Sequence, residues 1–341
     1  MSADRLNREQ FQARLAPLDS AAVRKVLWTL YWRGSAALRQ RIETEIAAGT
    51  PGSRPIPVAP APTIDLHEVL DRVEEFAMRA RKGAYLAGDR RVSPKQRTRW
   101  RYIFRDLFAD ARLALAADNP MPAAQAMATL VDIACETGGL DYFRSEDPVE
   151  AAKIVISDEV GAMWRRVREH AGLSVFAKLA APQLVRWERE HGWTRGGWGQ
   201  VAEKETTLAA VLIPILDIPD AWRTFADHYL AALDALSTKA AKASRSWDSG
   251  DWTRRERTGN LAEWHLALLP RLHYESDGSA DRLATHPALG GPGLVFLQAH
   301  LARLHGDLER AHKLVHAALT DQPSNTDFRA FADDLGRPAG R

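Results

Sequence analysis

The sequence predicts an all-α fold, a helical bundle or solenoid, and three observations carry that expectation. Apolar residues recur three and four positions apart along most of the chain, the period of a helix that buries one face. Several of these stripes are preceded by Ser, Thr or Asp with a proline or an acidic or amide residue just inside, the signature of a helix N-terminus. No run alternates apolar and polar residues with the β-branched enrichment of a strand, so almost no sheet is expected.

Asp19 opens the first helix, with Val23, Val26, Leu27, Leu30 and Tyr31 at helical spacing; after Gly34-Ser35 a second segment carries Leu38, Ile42 and Ile46. Residues 1–48 thus form a helical pair. Residues 49–63, GTPGSRPIPVAPAPT, hold five prolines in fifteen positions, a density that stops helices and favours a semi-rigid extended linker.

A central helical domain is expected over 64–245. Thr63 caps a helix with Leu66, Leu70, Val73 and Ala77 on one face. Ser93-Pro94-Lys95-Gln96 supplies a cap, a proline at the first helical position and a glutamine that reaches back, ahead of the stripe Trp100, Ile103, Phe104, Leu107, Phe108, Ala111 and Leu115. Asp118-Asn119-Pro120 ends that helix. Another runs from about Pro122 to Thr137, before Gly138-Gly139. Asp147-Pro148-Val149-Glu150 opens a helix that buries Ala152, Ile156, Val160, Met163, Trp164 and Val167 and stops at Gly172. Further helical patterns cover roughly 173–191, 201–216 and 221–243.

The C-terminal region, 246–341, contains GDLERAHKLVHAALTDQP from Gly306. Gly306-Asp307 stands at an inter-helix turn, Ala299 and Ala311 where two helices cross, Ala318-Leu319 late in the second helix, and Pro323 at its end. Over about Pro292 to Leu335 this resembles one tetratricopeptide unit, and the resemblance implies a helical hairpin stacked on its neighbours. The pattern departs at Gln298, where such units carry a large apolar residue. The central stretches RTRWRYIFRDLFADA and DYFRSEDPVEAAKIVISDEV are similar to helical segments that accompany SWIM-type zinc fingers in some bacterial proteins, without the finger itself.

Composition narrows the function. The 341 residues carry 46 basic and 44 acidic side chains, so the net charge of +2 gives no global field for polyanions. Cys135 is the single cysteine, which excludes an intrachain disulfide and a multi-cysteine zinc site and suits a reducing cytoplasm. No apolar run spans a bilayer, and no membrane partner is expected. The sequence offers no nucleophile with its base, no paired carboxylates and no metal-ligand set, so no catalytic residues, cofactor or metal are expected. Glu136, Asp141, Glu146 and Asp147 cluster around a turn, but Asp147 already caps a helix. His312 and His316 share a helix face without the carboxylate that a zinc site of that spacing needs.

Binding is the expected function, and the partner another protein. Trp247, Trp252, Arg254, Arg255 and Trp264 form a Trp/Arg-rich stretch of the kind found at interface hot spots, or else they fill a core. Trp193, Arg195 and Trp198 share a glycine-rich loop, either an anion- or ring-binding element or a packed connection. Arg90, Arg91, Lys95, Arg97, Arg101 and Arg105 belong to a segment, 90–105, with seven basic residues and no acidic one. That segment is the alternative, a nucleic-acid-binding module with Trp100 or Tyr102 stacking on a base, or else a solvated helix face.

Overall fold

A computed structural model describes residues 16, 18–33, 39, 42–43, 46, 65–86, 91–195, 199–243 and 249–336, with the backbone alone at 33, 96, 189–195, 239–243 and 249–251. The chain divides into two compact units, 1–63 and 64–341, so the division falls at the end of the proline-rich stretch. That stretch, Gly34-Ser35 and Leu38 lie outside the described residues. Every described element is helical, as expected, and no described helix is long and apolar enough to cross a membrane.

In the first unit, α1 (Ser20–Arg33) begins where the Asp19 carboxylate accepts the Ala22 amide at 2.7 Å, satisfying a donor that the helix itself leaves open. Trp28 stacks on Tyr31 and Trp32, and the Tyr31 hydroxyl donates to Glu43.

The second unit opens with α2 (Leu66–Arg81), capped by Asp65 rather than by Thr63: its carboxylate accepts from the His67 and Glu68 amides. Ser93 opens α3 (Pro94–Thr98), which ends after five residues because Arg99 leaves helical geometry; α4 (Trp100–Ala114) then carries the expected stripe inward. These helices pack with α5 (Met121–Glu136) around stacked rings, Trp100 on Phe143 at 4.2 Å and Phe76 on Phe104 at 5.3 Å.

Asp147 caps α6 (Pro148–Ala152), but that helix does not run on through Ile156. Lys153 turns left-handed at φ +57°, and a new helix, α7 (Ile156–Arg195), starts beyond it. The cause is distant in sequence. The buried Glu205 carboxylate accepts the Ile156 amide at 2.5 Å and the Ser157 amide at 3.0 Å, making a helix start of what the local pattern presents as a helix interior. α7 changes direction at Gly172, the expected stop, where φ is +76°, and resumes beyond it.

The expected helix over 201–216 shrinks to α8 (Leu208–Leu212) and one 3-10 turn, Ile213–Ile215. Side chains capture the amides that a longer helix would have paired with its own carbonyls: Val201 donates to Glu150, Thr206 to Ser157 and Leu208 to Glu188. The remaining helices are α9 (Pro219–Ala243), α10 (Ser249–Asn260), α11 (Ala262–Glu275), α12 (Ser279–Ala284), α13 (Gly291–Leu304), α14 (Leu308–Asp321) and α15 (Thr326–Leu335). α7 packs on α9, α9 on α11, α11 on α13, α13 on α14 and α14 on α15, a succession in which each helix rests on near neighbours in sequence.

One hydrophobic cluster runs from Val69 to Leu301 and passes through the boundary expected between 245 and 246. A second, smaller one joins Phe296 and Ala299 of α13 to Val315 and Ala318 of α14 and Phe328 and Phe331 of α15, with Leu266 of α11 against it. Gly306 makes the turn between α13 and α14 at φ +79°, a conformation that costs glycine least. Gln298 uses its polarity there, donating to the Ala284 carbonyl at 2.8 Å.

Candidate partner-binding cleft

Trp264 is not a surface residue. On α11, Trp264, Leu268 and Leu272 lie four apart and face inward, and the Trp264 indole is fully buried. It stacks on Trp222 of α9 with ring centres 5.5 Å apart and planes 11° apart, while Phe225 and Tyr229 meet it edge-on at 5.2 and 5.8 Å. Expecting Trp264 at a partner surface fails because its neighbours on α9 are aromatic and its burial there removes a large apolar area from water.

Trp222, the outer ring of that stack, lines a cleft of about 690 Å³ between the start of α9 and the second half of α11. Ile218 and Pro219 line one side, Leu268 and Pro270 the other. Arg271 crosses the floor, its guanidinium carbon 3.5 Å from the Trp222 ring centre, where the cation meets the negative face of the indole. Tyr274 is 88% exposed, its ring free of the core, and Ile218 is also largely exposed. Both signs of charge border the cleft: Arg223 and Arg271 against Asp217 and Glu275, with Asp217 3.9 Å from Arg168. Aromatic and aliphatic walls with mixed charge at the edge suit a folded or extended protein segment, and large rings beside Arg are what protein interfaces enrich.

Beneath the cleft, the Tyr229 hydroxyl and His265 Nε2 are 2.6 Å apart and both residues are buried. Burial, with the nearby His286, holds His265 down to about 3, and burial raises Tyr229, so both are neutral at physiological pH. This pair is out of reach of solvent and braces α9 against α11.

The rest of the Trp/Arg-rich stretch divides by helix face. Trp252, 69% exposed, Arg254 and Arg255 lie on the outer side of α10. The next turn faces inward: Arg257 donates to the Ala288 carbonyl at 2.5 Å, and the Thr258 hydroxyl accepts the Gly290 amide at 2.9 Å. Trp247 and Trp198 lie outside the described residues, and of Trp193 and Arg195 only the backbone, at the end of α7, is described.

The basic segment divides too. Arg91 donates to the Lys82 carbonyl and Arg97 to the Leu86 carbonyl at 3.4 Å, tying the segment to the end of α2. Lys95, Arg99, Arg101 and Arg105 are exposed; Arg90 lies outside the described residues. Trp100 is buried against Phe143, so it is not available to stack on a base; the exposed ring is Tyr102.

Of the four carboxylates near Gly138-Gly139, Asp141 and Glu146 share a cavity, while Glu136 and Asp147 have other partners. Burial pushes Glu136 up, but hydrogen bonds from Arg81 and Tyr142 outweigh it and leave the group below its usual range. Asp147 caps α6, and Asp141 and Glu146 line a separate open cavity of about 570 Å³ beside Arg144. The His312 and His316 rings are 6.3 Å apart, and no group of three or more His, Cys, Asp or Glu side chains able to hold a metal ion occurs among the described residues. Cys135 is buried.

Sequence reading passes over Trp222, Arg271 and Tyr274, since only the crossing of α9 and α11 brings them together. The available signals were the Ile218-Pro219 start and Pro270 inside α11, two prolines that interrupt backbone donors where the cleft opens. No family model, no curated protein and no solved structure matches the chain.

Proposed function

We propose that this protein is a non-catalytic helical adaptor whose cleft between α9 and α11 binds a segment of another protein. The observation that carries the reading is Tyr274, an 88% exposed ring at the edge of an apolar cleft whose floor is the Arg271–Trp222 pair. A large ring left in water beside an apolar cleft costs hydration that a partner recovers on binding. The succession of packed helices supports the reading, because such scaffolds offer extended surfaces, and so does the resemblance of Pro292–Leu335 to one tetratricopeptide unit, which acts here as a cap on the helical stack. The single cysteine favours a cytoplasmic setting.

The test is affinity capture from the native organism with wild-type protein and an Ile218→Asp/Tyr274→Ala variant. Both side chains are exposed and outside the core, so an unchanged melting temperature is expected of the variant. The reading requires at least one protein captured by the wild type and lost, by tenfold or more on an anchor-residue scale of about 2 kcal/mol, from the variant. Equal capture by both would overturn it.

A further inference from the structure

The basic segment is a separate surface feature, none of whose residues lines the cleft. Between 91 and 105 the chain has Arg91, Lys95, Arg97, Arg99, Arg101 and Arg105 and no acidic residue. Arg91 and Arg97 anchor the segment through the Lys82 and Leu86 carbonyls, which leaves Lys95, Arg99, Arg101 and Arg105 presented to solvent on a fixed backbone.

Tyr102 sits among these cations. Its neighbours in the stripe, Trp100 and Phe104, enter the core, whereas Tyr102 is 40% exposed, an aromatic ring that packs no interior. The Arg101 and Arg105 guanidinium carbons lie 4.9 and 5.4 Å from its ring centre, and Arg101 reaches its hydroxyl at 3.3 Å. That hydrogen bond, with the positive charge of Arg101, Arg105 and Arg99, lowers the phenol below its ordinary value. Competition for the cations is slight. Asp106 stands 3.8 Å from Arg105 with both side chains more than half exposed, a separation and exposure at which an ion pair contributes little, and no carboxylate pairs with Arg101 among the described residues.

We infer that Arg99, Arg101, Tyr102 and Arg105 form a site for single-stranded nucleic acid, in which Arg101 and Arg105 hold successive phosphates and Tyr102 stacks on an unpaired base. Arg101 and Arg105 stand one helical turn apart, about 6 Å along the axis between their backbone positions, so two long side chains from them can reach consecutive phosphates of an extended strand. The exposed ring discriminates between partners: an acidic peptide uses the charges but gains nothing from the ring, and a duplex keeps its bases inside, whereas a single strand uses both.

The test is fluorescence anisotropy of the full chain with labelled oligo-dT and oligo-U of about 20 nucleotides, a duplex of the same length and a polyglutamate competitor, each across salt. Single strands are expected to bind more tightly than duplex. The affinity should fall with salt along a slope of about −0.7 per phosphate contacted. Tyr102→Ala should weaken binding by about fivefold to a hundredfold, Tyr102→Phe should leave it unchanged, and Arg101→Glu/Arg105→Glu should abolish it. Should the double variant misfold, Arg101→Gln carries the same expectation of weakened binding. Absence of binding at about 50 mM salt, equal affinity for duplex, an unaffected Tyr102→Ala variant, or displacement by polyglutamate as effective as by oligo-dT would each overturn the proposal.

Discussion

Arg271 lies over Trp222, its guanidinium carbon 3.5 Å from the indole centre, and the same indole stacks on the buried Trp264. A surface cation, a half-way ring and a core ring thus form one continuous column from solvent to interior. The column predicts a separation of effects. Trp222→Ala removes a 6% exposed ring and should cost about 3–5 kcal/mol of stability by thermal or urea unfolding, the range for large-to-small core changes. Arg271→Ala should cost only about 1 kcal/mol, the scale of a cation over a ring, and on the proposed adaptor reading it should remove most of the affinity for a partner.

Glu205 joins two distant stretches by accepting the Ile156 and Ser157 amides. Glu205→Ala leaves both donors buried without their acceptor and is expected to lower stability by about 2–5 kcal/mol. Glu205→Gln retains one acceptor oxygen and should recover a large part of that loss. Hydrogen exchange of the Ile156 and Ser157 amides reads the effect directly: faster exchange in Glu205→Ala confirms the cap, and unchanged protection contradicts it.

Gly291 adopts φ +70°, and a Cβ placed there would come within 2.3 Å of the Arg255 side chain. Gly291→Ala should therefore destabilise by about 1–2 kcal/mol from backbone geometry, plus whatever Arg255 loses in moving aside. The double variant Gly291→Ala/Arg255→Ala isolates the two costs: if the clash matters, adding Arg255→Ala restores part of the melting temperature.

His265 is buried and His300 partly buried, and both are neutral, held at about 3 and about 4, in both cases chiefly by burial. Both folded values lie below the unfolded histidine value of about 6.5, so the unfolded chain binds more protons as pH falls below that point. Their contribution to stability is complete above about pH 7 and is lost as pH falls from about 6.5 towards 4 and then 3. Thermal melts across this range should show a falling melting temperature. His300→Phe, which keeps an aromatic ring beside Phe296 and Phe331, should make the fall between about pH 6.5 and 4 shallower and leave the His265 part of it.

The helices were legible where their reasons are local. The α4 stripe from Trp100 to Ala111, the Asp19 and Asp147 caps and the Gly306 turn depend on residues within a few positions of one another. The break at Lys153 and the shortness of α8 were not, because Glu205, Glu150 and Glu188 act on amides that are remote in sequence. The same limit governed the site. The abundance of Trp and Arg marks residues 247–264 in the sequence, but a helix face is assigned by what it meets. Trp264 met Trp222 and became core, and the cleft passed to Trp222, Arg271 and Tyr274.

The most direct test of the adaptor reading is photo-cross-linking in the native organism, with p-benzoylphenylalanine at position 274 and, as a control, at the exposed position 252. The account predicts a discrete adduct with another protein from position 274 that disappears when Ile218→Asp is added. Adducts of equal pattern from both positions, or adducts from position 274 that survive Ile218→Asp, would contradict it.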